Sequence, residues 1–246
     1  VSQQPYVQVS HGMVRTLASF WSVRERGSEG RSCIEKSIEL VPNHPPEKVK
    51  LLQQATLYGL LVGDHEAAVR HSNLAIKLAT DLGEKMLLAM AYMSAASAAS
   101  EQGHHDEALE FHRLCREMLA GETIPPRLVT SRGLIQLSAH QYDDALVSFE
   151  EAIRRCEEQG SEHLKGWNCS NLGDTLMAQG KPVEAIFWYR EGLARLATYG
   201  GIFGTCEAAR GLALACALAT EDRQLRRQAL ALTTAAIRNQ GSVGMH

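Results

Sequence analysis

The feature that most constrains this chain is a recurring turn. Five times a breaker or polar residue is followed five positions later by a small one: Glu25 leads to Gly30, Gly63 to Ala68, Gly103 to Ala108, His140 to Ala145 and Gly180 to Ala185. These turns stand 38, 40, 37 and 40 residues apart. A turn recurring at that interval marks a hairpin of two helices repeated along the chain. The clearest copy runs from Gly166 to Leu196. Leu172, Gly173 and Leu176 share one face of its first helix, Gly180 breaks that helix, and Ala185 and Tyr189 share one face of the second. Gly173 and Ala185 are small so that the two helices can approach, with large residues filling the space beside them. One hairpin cannot bury its apolar face alone, so neighbours must stack on it.

The helices can be placed from apolar spacings of three and four between the turns. The pairs are 9–24 with 28–41, 46–62 with 65–81, 84–102 with 105–120, 125–139 with 142–159, and 162–179 with 182–198. In the fourth pair Ala145, Leu146, Phe149 and Ile153 form the apolar stripe, and Asp143, Glu150, Glu151, Arg154 and Arg155 form the wet side. Pro46 and Pro126 fall near helix starts, where a missing N–H costs nothing. A less regular sixth pair follows, 204–219 with 228–240, as expected where the end of a stack faces water. The expected fold is all-α, a right-handed superhelical solenoid of about six repeats. It is read as a single domain over 1–246, with repeats at about 9–41, 46–81, 84–120, 125–159, 162–198 and 202–240.

Composition narrows the function classes. A net charge of -3 with no basic stripe gives no footprint for nucleic acid, and the one basic turn, RQLRR at 223–227, reads as a solvated helix start. No window holds the ~18 apolar residues of a membrane helix. The six cysteines form no CxxC pair and all fall within expected helices, which suits reduced, buried thiols in a cytoplasmic protein. The start, VSQQPYVQV, has neither an initiator Met nor the regions of a signal peptide, so the chain is expected to be a piece of something longer.

Leu172-Gly173, the aromatic Tyr189 and the small Ala185 resemble the tetratricopeptide (TPR) pattern. The interval exceeds the TPR period of about 34 residues, and the extra residues fall in VPNHPPE, DLGE, GETIPP and EQGSE, between hairpins. A second resemblance lies in FWSVRERGSEGRSCIEKSIEL (20–40), with Phe20, Trp21, Gly27, Glu29, Gly30 and Arg31. This is similar to the opening sensor repeat of large ATP-dependent bacterial transcription regulators. These are the signal-transduction ATPases with numerous domains, including LuxR-type and antibiotic-pathway regulators. LAIKLATDLGEK (74–85) and QALALTTAAIRNQG (228–241) also resemble those arrays. The resemblance implies an ATPase and a DNA-binding domain elsewhere. This chain carries no GxxxxGK[ST] loop and no legible helix-turn-helix, so it would be the sensing or autoinhibitory arm.

In such stacks the first helices line a concave face. Counting back from each turn residue places Arg15, Gln53, Gln54, Met93, Ser94, Arg127, Ser131, Trp167, Ser170, Asn171 and Asp174 on it, with Leu57, Met90, Thr130 and Leu134 nearby. Amides and hydroxyls both donate and accept, so they suit the backbone of an extended peptide or the edges of a polar effector. Arg15 and Arg127 can hold a carboxylate or phosphate. Trp167 either anchors a ligand or packs on the preceding repeat. Met90 and Met93 read as core filler beside Leu87 and Leu88. The expected partner is therefore a protein or peptide segment, or a small effector. The alternative is a scaffold or homodimerisation element using Leu230, Leu232 and Ile237 of the last helix.

Nothing in the sequence assembles catalytic chemistry. His104 and His105 are adjacent and diverge on a helix, and Cys156, His163 and Cys169 are irregularly spaced for zinc. There is no GxSxG, and the carboxylates of 143–151 belong to a wet helix face. No catalytic residue, cofactor or metal is expected.

Overall fold

A computed structural model describes residues 27–39, 45–121, 123–199, 201–221, 223–224, 226–228 and 231. Among them the regular elements are ten α-helices: α1 Gly27–Glu39, α2 Pro45–Leu61, α3 His65–Leu82, α4 Lys85–Glu101, α5 His105–Met118, α6 Pro126–Ser138, α7 Tyr142–Glu158, α8 Glu162–Ala178, α9 Pro182–Tyr199 and α10 Gly201–Ala219. The expected helix 9–24 with Arg15, and Leu230, Leu232 and Ile237 of the expected closing helix, lie outside the described residues.

The turns explain the hairpins. Gly63, Gly103 and Gly180 take φ of 73°, 78° and 74°, the left-handed region open to glycine. At each, the residue after the glycine donates its N–H to a carbonyl five back: Asp64 to Gly59 at 2.7 Å, His104 to Ala99 at 2.9 Å, Lys181 to Leu176 at 2.9 Å. The glycine N–H bonds three back, closing a Schellman motif that satisfies the last carbonyls of the first helix. His140 makes the same turn with φ 59°, and Gln141 donates to Gln136 at 2.8 Å. A side chain in this conformation costs about 1–2 kcal/mol, while glycine loses roughly 0.5–1 kcal/mol of chain entropy. His140→Gly is therefore expected to stabilise the chain by up to about 1 kcal/mol, read as a raised urea midpoint. A lowered midpoint would mean that the His140 Nδ1 to Tyr142 hydroxyl contact, 2.7 Å, outweighs the backbone cost.

The small residue five beyond each turn marks where the helices touch. Ala68, Ala108, Ala145 and Ala185 are all 0 % exposed. Nine beyond the last two turns stand Phe149 and Tyr189, whose rings lie on glycines seven before those turns. A Cβ at Gly133 would stand 2.6 Å from Phe149 Cε1, and one at Gly173 2.8 Å from Tyr189 Cε1. In these two hairpins a small residue faces a large one, whereas Gly59 meets Ala68, small against small, in the hairpin of α2 and α3.

The chain forms two compact units, residues 1–124 and 125–246. In the first, Ile34 of α1 joins Leu51, Ala55 and Tyr58 of α2, and Val49 and Leu52 of α2 join Ala75 and Ala79 of α3 with Leu87 and Ala91 of α4. In the second, Ala145, Phe149 and Ile153 of α7 pack on Cys169 and Leu172 of α8. Leu176 of α8, Ala185 and Tyr189 of α9 and Ala215 of α10 form the next layer. Within each unit successive helices pack in order, and first helices also meet: α2 with α4, α6 with α8, and α8 with α10. Among the described residues no comparable contact joins the second helices α3 with α5 or α7 with α9. Each stack is thus wedged, with its first helices drawn together.

Cys115, Cys156 and Cys169 are buried, Cys33, Cys206 and Cys216 are half-buried, and all six are free thiols. Burial pushes the Cys115 and Cys169 thiols up to about 11, so both stay protonated near neutrality. No helix among the described residues is long and apolar enough to cross a membrane.

Candidate binding face of the first helices

The least covered positions on the first helices lie thirteen, nine, six and two residues before each turn. They are Lys50, Gln54, Leu57 and Leu61 on α2, and Arg127, Ser131, Leu134 and Ser138 on α6. On α8 they are Trp167, Asn171, Asp174 and Ala178; all twelve are half-buried or exposed. On α4 the open positions are Met86, Met90, Met93, Ser97 and Glu101, with Met93, ten before the turn, in place of the nine-before site. This spacing of three and four keeps a single face of each helix open.

Three residues expected on that face are turned away from it. Gln53, Ser94 and Ser170 are buried at 5, 7 and 5 % exposure. The Gln53 amide donates to the Leu87 carbonyl of α4 at 3.5 Å, Ser94 bonds back to Met90 at 3.2 Å, and Ser170 bonds back to Gly166 at 3.3 Å beneath Gly192 of α9. Thr130 is likewise buried, its hydroxyl 3.0 Å from both Asn168 Oδ1 and the Pro126 carbonyl. For Gln53, Thr130 and Ser170 the reason is positional: on α2, α6 and α8 the site ten before the turn points into a neighbouring helix, whereas on α4 the covered site is Ser94, nine before. Gln54, Met93, Arg127, Ser131, Trp167, Asn171 and Asp174 keep access to solvent.

Met90, read as core filler, is 38 % exposed, and Leu87 beside it is the buried one. The open face of the first unit therefore carries four uncovered apolar side chains, Leu57, Leu61, Met86 and Met90, among Lys50, Gln54, Ser97 and Glu101. Trp167 leans forward rather than back. A Cβ on Gly204 of α10 would stand 3.2 Å from its ring, and its indole N–H donates to His163 Nε2 at 3.2 Å.

The second unit has the more polar face. Ser131 and Asn171 are half-buried, and among the described residues neither side chain has a protein hydrogen-bond partner. Arg127 is exposed and makes no ion pair among the described residues. Asp174 Oδ1 accepts from the Tyr189 hydroxyl at 2.6 Å. Solvent reaches this carboxylate although α8, α9 and α10 crowd around it. That crowding raises its pKa, while the Tyr189 bond and the Arg210 charge act the other way and Glu207 adds to the rise. Burial and the Asp174 charge hold the Tyr189 phenol well above its ordinary pKa, so it remains a donor. Arg210 of α10 bonds to Glu207 Oε2 through Nε at 3.1 Å and Nη2 at 2.7 Å.

Sequence reasoning missed Glu207, Arg210 and Asn168. The first two lie on a helix with no following turn to count from. Asn168 sits next to expected lining residues but is 0 % exposed. Arg226, in the basic stretch read as a solvated helix start, is exposed, and it caps α10 through the Ala217 and Thr220 carbonyls at 3.2 and 2.7 Å.

No protein-family model and no curated protein matches the chain. Solved structures do. A Rap protein complexed with competence and sporulation factor matches with a TM-score of 0.73 at 14% identity, over 93% of this chain and 65% of that one. BtubC (BKLC) from P. vanneervenii matches with a TM-score of 0.66 at 16% identity, over 90% and 91%. A signal transduction ATPase with numerous domains from Pyrococcus horikoshii, with a tetratricopeptide repeat sensor, matches with a TM-score of 0.68 at 12% identity, over 97% and 41%. The chain therefore has the all-α, TPR-type solenoid fold of stacked helical hairpins, and it spans under half the length of that ATPase.

Proposed function

We propose that this chain is a non-catalytic binding module that accepts an extended peptide segment of a protein on the open face of its first helices. One observation carries the reading. On the second unit the buried polar side chains are satisfied internally, through Thr130–Asn168 and Ser170–Gly166. The solvent-facing ones at the next positions, Ser131 and Asn171, have no protein partner among the described residues. Such groups are available to an extended backbone at no cost in broken bonds. A solved structure of similar fold, the Rap protein, is a complex with competence and sporulation factor, and another is the sensor-bearing ATPase. They support a regulatory role, in which occupancy of the face biases the activity of attached domains. A ligand can do this only through a difference in affinity between two states.

The test is selection of a displayed library of random linear peptides on the purified chain, followed by calorimetry with a synthetic copy of a selected peptide. Asn171→Ala combined with Arg127→Ala is expected to weaken binding at least about tenfold, the equivalent of losing one good hydrogen bond, with an unchanged thermal melt. Equal affinity, or no selected peptide, would remove the reading.

A further inference from the structure

We propose that Asp174 anchors a cationic group, an ammonium or guanidinium, of the peptide bound on the second unit. This rests on the peptide-binding reading above and goes further by naming the chemistry the site selects.

Among the four open positions on each of α6 and α8, Asp174 is the single carboxylate. It makes no ion pair within 4.0 Å among the described residues, and the Arg210 charge acts on it only from farther away. The nearby cation, Arg210, is held by Glu207 through two bonds, at 3.1 and 2.7 Å. Those two charges cancel, which leaves the neighbourhood with the net negative charge of Asp174. The carboxylate is also fixed in place. Its Oδ1 accepts the Tyr189 hydroxyl at 2.6 Å. The Tyr189 ring cannot swing away, because it is gripped between Gly173 of α8 and Gly211 of α10; a Cβ on the first would stand 2.8 Å from the ring, and one on the second closer still. Oδ1 is the only one of its two oxygens with a side-chain hydrogen bond among the described residues, and the residue as a whole is exposed.

A carboxylate oriented before the ligand arrives loses little entropy on binding. Asn171, one turn earlier on the same open stripe, has an amide carbonyl that can accept from the same cation. A neutral or anionic group here would meet an unrelieved negative charge, so the site discriminates as well as attracts. Tyr189 acts as a positioning residue through Asp174.

The test uses the full chain and a peptide selected from the displayed library. That peptide is synthesised unchanged, with its basic side chain replaced by norleucine, and with its amino terminus acetylated. Removing the relevant positive charge is expected to weaken binding to the wild-type chain about tenfold to a hundredfold. The same change is expected to make no difference on Asp174→Asn. The norleucine and acetyl arms distinguish a side chain from a free amino terminus as the source of the cation. Added salt is expected to shrink the wild-type difference. Suppose the peptides bind and depend on Asn171 and Arg127, yet charge removal has no effect, or has the same effect on Asp174→Asn. The anchor is then overturned while the peptide face stands. If no peptide is selected, both fall.

Discussion

Truncating Phe149 to alanine is expected to cost about 3–5 kcal/mol, the usual loss for a buried aromatic ring. The ring is 0 % exposed and sits among Ala145, Ile153, Cys169 and Leu172, so it links a hairpin to the helix stacked on it. Its partner across the hairpin is an absence, the missing Cβ of Gly133, which would stand 2.6 Å from Cε1. Gly133→Ala alone is expected to cost about 1–3 kcal/mol, because the ring is wedged and has nowhere to retreat. The informative measurement is the double variant. With Phe149 already truncated, the new methyl enters vacated space, and most of the Gly133→Ala cost should vanish. Urea unfolding of the four proteins gives the coupling directly. Additive costs would mean that the glycine serves the helix backbone and not the ring.

That pairing also explains which parts of this architecture can be read from one sequence. Gly173 and Ala185 announce a close approach because their meaning is local: both belong to one hairpin, and the turn between them fixes the register. The turns themselves are legible because only glycine, or a residue such as His140 that tolerates the left-handed region, can hold φ near +60 to +80°. The open face is harder to read. Whether position 53 or 54 faces solvent depends on a helix more than thirty residues away. Gln53 bonds to Leu87, and Thr130 to Asn168, across sequence separations of 34 and 38. Counting back from a turn gives the face to within one residue, and one residue on a helix is about 100° of rotation. That single step separates Ser170, buried under Gly192, from Asn171, which is free to meet a ligand. Met90 was misjudged for a related reason: an apolar side chain signals burial only on average.

Tyr189 ties the two levels together. Its ring is core, held by two glycines, while its hydroxyl sets the single carboxylate among the described open positions of α6 and α8. A site built this way inherits its rigidity from the packing, which is what allows a polar face to select a charge.

The second large effect is expected at Asn168, the buried amide that joins α6 to α8. Its Oδ1 lies 3.0 Å from the Thr130 hydroxyl, its Nδ2 donates to the Leu164 carbonyl at 2.9 Å, and Cys156 Sγ lies at 4.0 Å. Asn168→Asp keeps the shape and replaces a donor with a charge. At neutral pH the new carboxylate would be wholly buried, with its second oxygen facing a carbonyl oxygen. The expected cost is about 3–5 kcal/mol, as for an uncompensated buried charge. The sign of the pH dependence follows. Burial raises the folded-state pKa above the unfolded value of about 3.9. Below the unfolded pKa both states are protonated, and the acid O–H can donate to Leu164 in place of the amide, so the variant should approach the wild type. As pH rises from the unfolded to the folded pKa, stability relative to wild type is lost, at up to about 1.4 kcal/mol per unit. Above the folded pKa the deficit is constant. Asn168→Ala is the control, with a loss of about 1–3 kcal/mol that does not depend on pH. Chemical unfolding at several pH values, each referred to wild type at the same pH, measures both. A deficit for Asn168→Asp as flat as that of the alanine variant would mean that water reaches this position, and that the joint between the first helices is wet rather than sealed.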